Sequence, residues 1–220
     1  MAAPSSSDPR ALVLSHTVRS AAPLCPELPL RLMTDQVELY RGDESAAKSA
    51  GVALPFWSIA WPGGQAIARF ILDNPHAVRG RSVVDFGCGG AIAAIAAAKC
   101  GASKVIANDI DPIALACAQI NAEMNGVTLE TDITDLLGRE VETDVLLAGD
   151  VCYDPALTAR IVAWLRTLAA KGTTVLMADP GRGHLDRQLL SPIAEYPVAF
   201  EGDATGQLRR PTWVGRLTAS

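Results

Sequence analysis

Short apolar runs alternate with stretches of helical periodicity along most of the chain. Residues 82–86 (SVVDF) form a β-branched run that predicts a buried strand, and a Gly-rich turn and an Ala-rich helix follow it. Later segments repeat this succession. The pattern predicts strands over 82–86, 104–108, 127–130, 144–148 and 173–178, and helices over about 65–74, 90–100, 112–125 and 156–170. Strands that alternate with helices predict a parallel sheet with helices on both faces.

The last part of the chain departs from this alternation. Residues 196–201 and 211–218 read as two strands, and the segment between them has no helical pattern. An antiparallel pair at one edge of the sheet fits this arrangement. We therefore predict an α/β fold, a Rossmann-like doubly wound sheet of seven strands that is mostly parallel with an antiparallel edge strand.

Residues 1–55 differ from the rest of the chain in their pattern, because their prolines are too frequent to allow long helices. The prolines of this part are Pro4, Pro9, Pro23, Pro26, Pro29 and Pro55. We predict irregular backbone here, in an N-terminal extension over residues 1–55 that caps a core domain over residues 56–220.

Composition and charge narrow the possible classes of protein. The 220 residues, of which 49% are hydrophobic and 20% charged, fit one globular domain and exclude disorder throughout. A net charge of −5 argues against binding to a nucleic-acid backbone, and no apolar run is long enough to span a membrane. Five cysteines without a C-x-x-C pair predict neither a metal site nor a disulfide framework, and favour a reduced, cytosolic-type protein.

The first strand of the sheet is followed by a turn with the spacing D-x-G-x-G, at Asp85, Gly87 and Gly89. Glycines after a strand allow the backbone to approach a ligand closely. Ile92 replaces the third glycine of a dinucleotide-binding turn and opposes the close packing that such a site needs. Asp85 suits the cationic end of a ligand, an amino group or a sulfonium, better than a pyrophosphate. A tight structural turn is the other interpretation of this segment.

Acidic residues follow the next two strands. Asp109 lies 20 residues after Gly89, where a carboxylate can accept hydrogen bonds from both ribose hydroxyls. Asp132 follows the third strand and could meet adenine N6, although a solvated loop position is equally compatible with the sequence. Asp111 is better explained as a helix N-cap. These two acids and Asp85 together indicate a pocket for a nucleoside with a positively charged tail.

The fourth strand ends beside the same cleft, where a substrate would lie. Asp150 and Tyr153 are three residues apart on that turn, so both side chains can point into one pocket. Asp154 is better explained as the start of a helix. Cys152 is better explained as packing inward, because no histidine is evident to activate it as a nucleophile.

Two tryptophans lie close to the Gly-Gly pair at 63–64. An indole can stack on adenine or shield a sulfonium through a cation–π contact. For Trp61 that role and core packing are equally compatible with the sequence, whereas core packing is favoured for Trp57.

Six strings cover nearly the whole chain from about residue 20. They are P-L-C-P-E-L at 23–28, P-F-W-S-I-A-W-P-G-G-Q at 55–65, V-V-D-F-G-C-G-G-A at 83–91, A-N-D-I-D-P at 107–112, G-D-V-C-Y at 149–153 and D-P-G-R at 179–182. Their order resembles class I S-adenosylmethionine-dependent methyltransferases. More narrowly, it resembles the seven-strand lysine methyltransferases of family 16, in the branch that acts on the β subunit of electron transfer flavoprotein. Ala91 stands where a third glycine is common in the family, and we expect only a slightly tighter fit there.

The resemblance implies a methyltransferase domain over residues 56–220, with S-adenosyl-L-methionine as cofactor. It implies a protein substrate, the electron transfer flavoprotein β subunit, with Asp150 and Tyr153 at its lysine and direct in-line transfer to the ε-amine. The implied compartment is the cytoplasm in a bacterium or the mitochondrial matrix in a eukaryote. The implied methyl donor site comprises Trp61, Asp85, Gly87, Cys88, Gly89, Asp109, Ile110 and Asp132.

Other functions stay open at this point. The same donor site could serve a methyltransferase of a ribosomal protein or of a small-molecule amine, and a closed pocket beside Asp150 would favour the small amine. A cofactor-binding module without catalysis would be favoured if Asp150 and Tyr153 were buried together, away from the donor cleft.

Overall fold

The computed structural model describes residues 8–33, 55–199 and 209–218. The first range forms helix α1 (Pro9–His16) and an antiparallel hairpin of β1 (Val18–Ala22) and β2 (Cys25–Leu32). The prediction of irregular backbone was therefore wrong for this part of the chain. Pro9 occupies the first turn of α1, where a missing N–H is no loss. A two-stranded sheet also leaves edges at which prolines such as Pro26 break no ladder hydrogen bond.

Among the described residues, seven strands form the main sheet and four further helices pack on it. The strands are β3 (Ser82–Phe86), β4 (Lys104–Asn108), β5 (Glu130–Asp132), β6 (Val145–Gly149), β7 (Thr174–Asp179), β8 (Leu190–Ala199) and β9 (Arg209–Leu217). The helices are α2 (Pro62–Asp73), α3 (Ile92–Lys99), α4 (Pro112–Asn125) and α5 (Pro155–Ala170). The strand order is β5-β4-β3-β6-β7-β9-β8, in which only the pairs that involve β9 are antiparallel. This confirms the predicted fold class.

The antiparallel pair lies at the sheet edge as predicted, but β8 begins at Leu190, well before residue 196. The strand contains Pro192 and Pro197, and prolines are not typical of strands, so the sequence pattern did not predict its first half. The sheet tolerates them because β8 is its edge strand, with a bulge between Pro192 and Ala194. The predicted connection falls mostly on residues 200–208, which lie outside the described residues.

Alternate residues of β6 face opposite layers of the core. Val145 and Leu147 are buried in the cluster that contains side chains of α2 and α3. Leu146 and Ala148 are buried in the cluster that contains side chains of α5. A strand whose two faces are both covered reads as a continuous apolar run, which explains the pattern at 144–148.

The N-terminal elements pack against α4. The Arg31 backbone N–H donates to Asn121 Oδ1 at 2.6 Å, and the Asn125 side-chain amide donates to the Pro29 carbonyl at 2.7 Å. An exposed ion pair joins Arg10 to Glu123 at 2.8 Å. The domain division at residue 55 stays a prediction, because residues 34–54 lie outside the described residues.

The five cysteines are all free thiols, four of them buried. In the described part of the chain, no helix is long and apolar enough to cross a membrane. Within the same residues, no group of three or more His, Cys, Asp and Glu side chains is placed to hold a metal ion.

Candidate active site

The acidic residues singled out in the sequence converge at the carboxyl ends of four adjacent strands. Asp85 belongs to β3, Asp109 follows β4, Asp132 ends β5 and Asp150 follows β6. These strands are parallel neighbours, so their carboxyl ends lie along one edge of the sheet. Open α/β sheets bind their ligands at this edge.

The turn between β3 and α3 winds tightly around its glycines. Gly87 and Gly89 have φ values of 66° and 50°, in the left-handed region that glycine adopts without strain. Ala91 also lies there, with φ 62° at the N-cap of α3, which costs an alanine about 1–2 kcal/mol. The structure therefore shows backbone strain at Ala91, and the slightly tighter fit expected there stays a prediction. The Cys88 N–H donates to the Asn108 carbonyl at 3.0 Å and ties the turn to β4.

Asp85 is buried beneath this turn, at 4% exposure. Its Oδ2 accepts a hydrogen bond from the Ala94 N–H at 3.0 Å, in the first turn of α3. Ala91 cannot cap the helix with its side chain, so Asp85 satisfies this end of α3 from the neighbouring strand. Burial raises the pKa of the Asp85 carboxyl to about 7, and the charge of Asp109 adds to this, while the hydrogen bond from Ala94 opposes it.

Asp109 joins two loops through its carboxylate. Oδ2 accepts from the Gly89 N–H at 2.9 Å, and Oδ1 accepts from the Asp111 N–H at 3.0 Å. Partial burial raises the pKa of Asp109, against the opposing effect of these hydrogen bonds. Each oxygen keeps a second lone pair, so the carboxylate can still accept from hydroxyl groups of a ligand.

The ends of β4 and β5 present an apolar pair beside these polar groups. Ile110 is 70% exposed and Ile133 is 55% exposed. Asp132 Oδ1 accepts from the Thr134 N–H at 2.9 Å, and the buried Asn108 amide donates to the carbonyls of Asp132 and Thr134 at 2.9 and 2.8 Å. Asn108 and Ile133 were not recognised in the sequence. An exposed isoleucine directly after Asp132 was the available signal.

Asp150 is held in a strained and buried position. Its φ is 58°, its side chain is 7% exposed, and its Oδ2 accepts from the Gly64 N–H of α2 at 3.0 Å. Its Oδ1 accepts from Arg182 Nη1 at 2.7 Å. Burial raises the pKa of Asp150, and the guanidinium of Arg182 opposes that effect.

Tyr153 differs from Asp150 in its exposure, since 64% of it is accessible to solvent. Partial burial of its hydroxyl raises the pKa of Tyr153, and the charges of Asp109 and Asp154 add to this. Tyr153 follows the end of β6 at Gly149, so it belongs to the same edge of the sheet as Asp109, which follows β4. Mutual burial of Asp150 and Tyr153, the feature that would favour a non-catalytic binding module, is not observed. Cys152 is buried, as expected for an inward-packing residue.

The two tryptophans have different surroundings. Trp57 is 4% exposed and packs in the cluster formed with α1 and α4, as predicted. Trp61 is half-buried, and its Nε1 donates to the Phe56 carbonyl at 2.8 Å. The Arg182 guanidinium carbon lies 5.6 Å from the centroid of its ring. Trp61 thus borders the region that contains Asp150.

Asp111 and Asp154 have the roles predicted for them, as N-caps of α4 and α5 that accept hydrogen bonds from the N–H groups of Ile113 and Leu157.

Three residues near Asp150 had no individual role predicted from the sequence. Asp179 ends β7 and is buried, and Arg182 follows it on the D-P-G-R loop. A Cβ on Gly63 would lie 2.6 Å from both the Ala178 carbonyl and Asp150 Oδ2, so this position requires glycine. The Gly-Gly pair was the only local signal for this close approach.

The arrangement fits a nucleoside ligand with a cationic tail. No ion pair among the described residues involves Asp85 or Asp109. The charge of Asp85 contributes to the raised pKa of Cys88, and that of Asp109 contributes to the raised pKa of Tyr153. A cation beside Asp85 would relieve the cost of a buried unpaired carboxylate. Hydroxyl groups would fit the lone pairs that Asp109 has left. The exposed pair Ile110 and Ile133 offers an apolar surface for a planar ring.

Comparisons with known proteins show which family the chain resembles. The electron transfer flavoprotein β subunit lysine methyltransferase of Xenopus laevis is 41% identical over 198 residues, which cover 87% of this chain and 79% of that protein. The mouse enzyme of the same name is 40% identical over 205 residues, 89% of this chain and 79% of that protein. A family model described as ribosomal protein L11 methyltransferase (PrmA) matches residues 70–174.

A solved structure shares the fold. Magnesium protoporphyrin IX methyltransferase of Synechocystis PCC 6803, determined with bound SAM, matches with a TM-score of 0.53 at 19% identity. The match covers 70% of this chain and 79% of that one. At this level of identity the likeness shows the architecture of the sheet and its helices.

Proposed function

The chain belongs to the family of electron transfer flavoprotein β subunit lysine methyltransferases, and from that membership we propose that it transfers a methyl group from S-adenosylmethionine to a lysine of this flavoprotein subunit. The observation that carries the proposal is 41% identity over 87% of the chain. The similarity therefore extends over both the glycine turn and the region around Asp150. The geometry of the site supports the same function.

The donor is bound, in this proposal, by the ends of β3, β4 and β5. Asp109 accepts hydrogen bonds from the ribose hydroxyls while it continues to hold Gly89. Asp85 faces the cationic end of the donor, and Ile110 and Ile133 flank the adenine. Asp132 meets the adenine amino group, since its position at the end of β5 is beside both isoleucines.

The backbone of the glycine turn and one indole complete the donor site. Gly87, Cys88 and Gly89 form the turn against which the donor's tail lies, because a left-handed backbone without side chains allows close approach. Trp61 shields the charged sulfur through its ring face, a contact of the same kind as the one it makes with Arg182.

S-adenosylmethionine supplies an electrophilic methyl group on a positively charged sulfur. The residues of the chain must position an attacking lysine in line with it, and positioning supplies much of the rate of such a transfer. The lysine must be neutral to attack, although its usual pKa is about 10.4. Asp150 orients the ε-amine by accepting a hydrogen bond from one of its N–H groups. The exposed Tyr153 also forms a hydrogen bond with the amine. Asp150 orients rather than deprotonates, because a carboxylate beside the positively charged donor is a weak base compared with an amine whose usual pKa is about 10.4.

A second candidate substrate is a ribosomal protein, which the family model matching residues 70–174 favours. The test is to mix the purified enzyme and S-adenosylmethionine with recombinant electron transfer flavoprotein from the same organism. In parallel, ribosomal proteins and small amines receive the same treatment. Intact-mass spectrometry should show the flavoprotein β subunit gaining mass in steps of one methyl group.

The control is the Asp109→Ala variant, which should produce no mass change on any of these substrates. An unmodified β subunit, together with a methylated ribosomal protein or small amine, would transfer the function to that alternative. If an enzyme that binds the donor modified none of them, the result would contradict all three candidate substrates.

A further inference from the structure

Two buried carboxylates share one arginine at the substrate end of the site. Asp150 follows β6 and Asp179 ends the adjacent strand β7, so the two acids lie side by side at the carboxyl ends of the strands. Arg182 Nη1 lies 2.7 Å from Asp150 Oδ1 and 3.8 Å from Asp179 Oδ2. The carboxylate side chains are 7% and 5% exposed, and the arginine is 23% exposed. Within the described ranges, two carboxylates that are shielded from water thus face one guanidinium.

The loop that carries Arg182 is built to hold it there. Asp179 Oδ1 accepts from the backbone N–H groups of Gly181 and Arg182 at 2.6 and 3.0 Å. The ring of Trp213 lies directly against Gly181, since a Cβ at that position would be 2.8 Å from the indole. The loop is therefore fixed both by hydrogen bonds to Asp179 and by contact with β9.

Asp179 Oδ2 is the unbalanced atom of this cluster. It is buried and has no hydrogen-bond partner among the described residues. Among the residues that the structure describes, the charged and titratable groups that face the pair of acids are Arg182 and the thiol of Cys152. The Gly64 N–H reaches Asp150 from the N-terminus of α2. Arg182 is thus the only cation among the described groups that balances the two carboxylates. Without it, the pKa of Asp150 would be raised further, because burial and the charge of Asp179 both disfavour the ionised form of this carboxyl and the guanidinium opposes them.

We propose that Arg182 is a positioning residue for methyl transfer: by balancing Asp179, it keeps Asp150 ionised and aimed at the acceptor amine. The inference rests on the proposed function and deepens it. A neutral Asp150 would hold a proton on an oxygen that must accept from the lysine. Arg182 itself touches neither the donor nor the lysine in this account.

The first test compares kcat/KM on the flavoprotein β subunit between about pH 6 and pH 9. The quantity followed is the ratio of wild-type to variant kcat/KM, because titration of the substrate lysine cancels from it. For Arg182→Met we expect the ratio to rise as the pH falls, by up to about tenfold for each pH unit. Arg182→Lys should restore most of the activity, since it returns a cation to the pair.

A double variant separates charge balance from loop structure. Asp179→Asn keeps an acceptor for the Gly181 N–H but removes the second negative charge. In the Arg182→Met background it should flatten the pH dependence of the ratio and recover part of the activity. Arg160→Met removes an exposed arginine from α5 and should leave the ratio near one at every pH. A ratio for Arg182→Met that is constant with pH would assign Arg182 a purely structural role and overturn the proposal.

The second test needs no substrate and so distinguishes failure of this proposal from failure of the proposed function. Carbon-13 NMR of protein labelled at its aspartate carboxyl groups follows ionisation directly, with signals assigned through the Asp150→Asn and Asp179→Asn variants. The Asp85 carboxyl, with a pKa of about 7, serves as a reference in every sample. We expect the Asp150 carboxyl to take up its proton at a higher pH in Arg182→Met than in the wild type, because the variant lacks the guanidinium that opposes the effect of burial. Identical titration of Asp150 in the two proteins would contradict the proposal.

Discussion

The backbone N–H of Gly89 donates to the carboxylate of Asp109 at 2.9 Å. This bond joins the glycine turn after β3 to the end of β4, and so connects the two halves of the proposed donor site. Asp109 therefore has two functions in our account, since it holds the turn and accepts from the ribose. Its removal should disturb both.

Replacement of Asp109 by alanine should abolish donor binding. The ribose hydroxyls lose their charged acceptor, and the Gly89 N–H loses its partner. Isothermal titration calorimetry with S-adenosylhomocysteine measures the effect. Asp111→Ala is the matched control, because Asp111 caps α4 and its loss should cost about 1 kcal/mol of stability with little change in affinity. Binding by Asp109→Ala within about threefold of wild type, which is under 1 kcal/mol, would exclude the proposed role.

Donor affinity should rise with pH through the titration of Asp85. In the free protein its carboxyl has a pKa of about 7, and the cationic amino group of the donor favours the ionised form. Binding below about pH 7 should therefore release a proton, seen as a buffer-dependent enthalpy. Asp85→Asn should reduce this dependence and leave only the part due to Asp109. Equal affinity at about pH 5.5 and pH 8.5 in the wild type would contradict this role.

The stability of the donor-free protein should change with pH in the opposite sense. The pKa of Asp85 is raised on folding, so the folded state holds a proton that the unfolded chain has released. The contribution of the protonated Asp85 to the free energy of unfolding is complete below the unfolded pKa of about 3.9. It is lost as the pH rises towards about 7. Urea denaturation of wild type and Asp85→Asn across this range measures the difference. A wild-type Asp85 contribution that increases with pH would contradict the burial that raises this pKa.

The two tryptophans should separate into one binding and one structural residue. Trp57 is buried with α1 and α4, so Trp57→Ala should cost about 3–5 kcal/mol of unfolding free energy. Trp61 is half-buried beside Arg182, so Trp61→Ala should mainly weaken donor binding, with a smaller loss of stability. Calorimetry and urea denaturation of both variants decide the matter. If Trp61→Ala left the dissociation constant of the donor unchanged, Trp61 would have only a packing role.

Tyr153→Phe should lower kcat while donor binding and stability stay near wild type. The substitution removes only a hydroxyl, and the side chain is 64% exposed, so little packing is lost. Tyr153 is proposed to contact the amine and not the donor, which is why the two measurements should separate. Turnover on the β subunit, measured beside calorimetry, provides both. A kcat above about half of wild type would remove Tyr153 from the reaction, since it corresponds to under 1 kcal/mol of barrier.

Local pattern was sufficient for much of the sheet and for its helix starts. The bounds predicted for β3 and β4, 82–86 and 104–108, are those observed, because each strand is a short buried run between turn residues. Asp111 followed by Pro112 marks the start of α4, since capping depends on residues adjacent in sequence. The acidic residues at the strand ends could be placed on one edge because parallel strands present all their carboxyl ends there.

Contacts between distant segments decided the rest. The N-terminal hairpin and the early start of β8 both contain prolines, and only the edges of a particular sheet make those prolines acceptable. Asp85 reaches α3 because Ala91 cannot cap it, and Asp150 meets Arg182 across 32 residues and Gly64 across 86. Sequence alone determined which strands end in acids. Only the tertiary structure decided which acid is balanced by which cation, because burial and charge pairing depend on neighbours that are far apart in the chain.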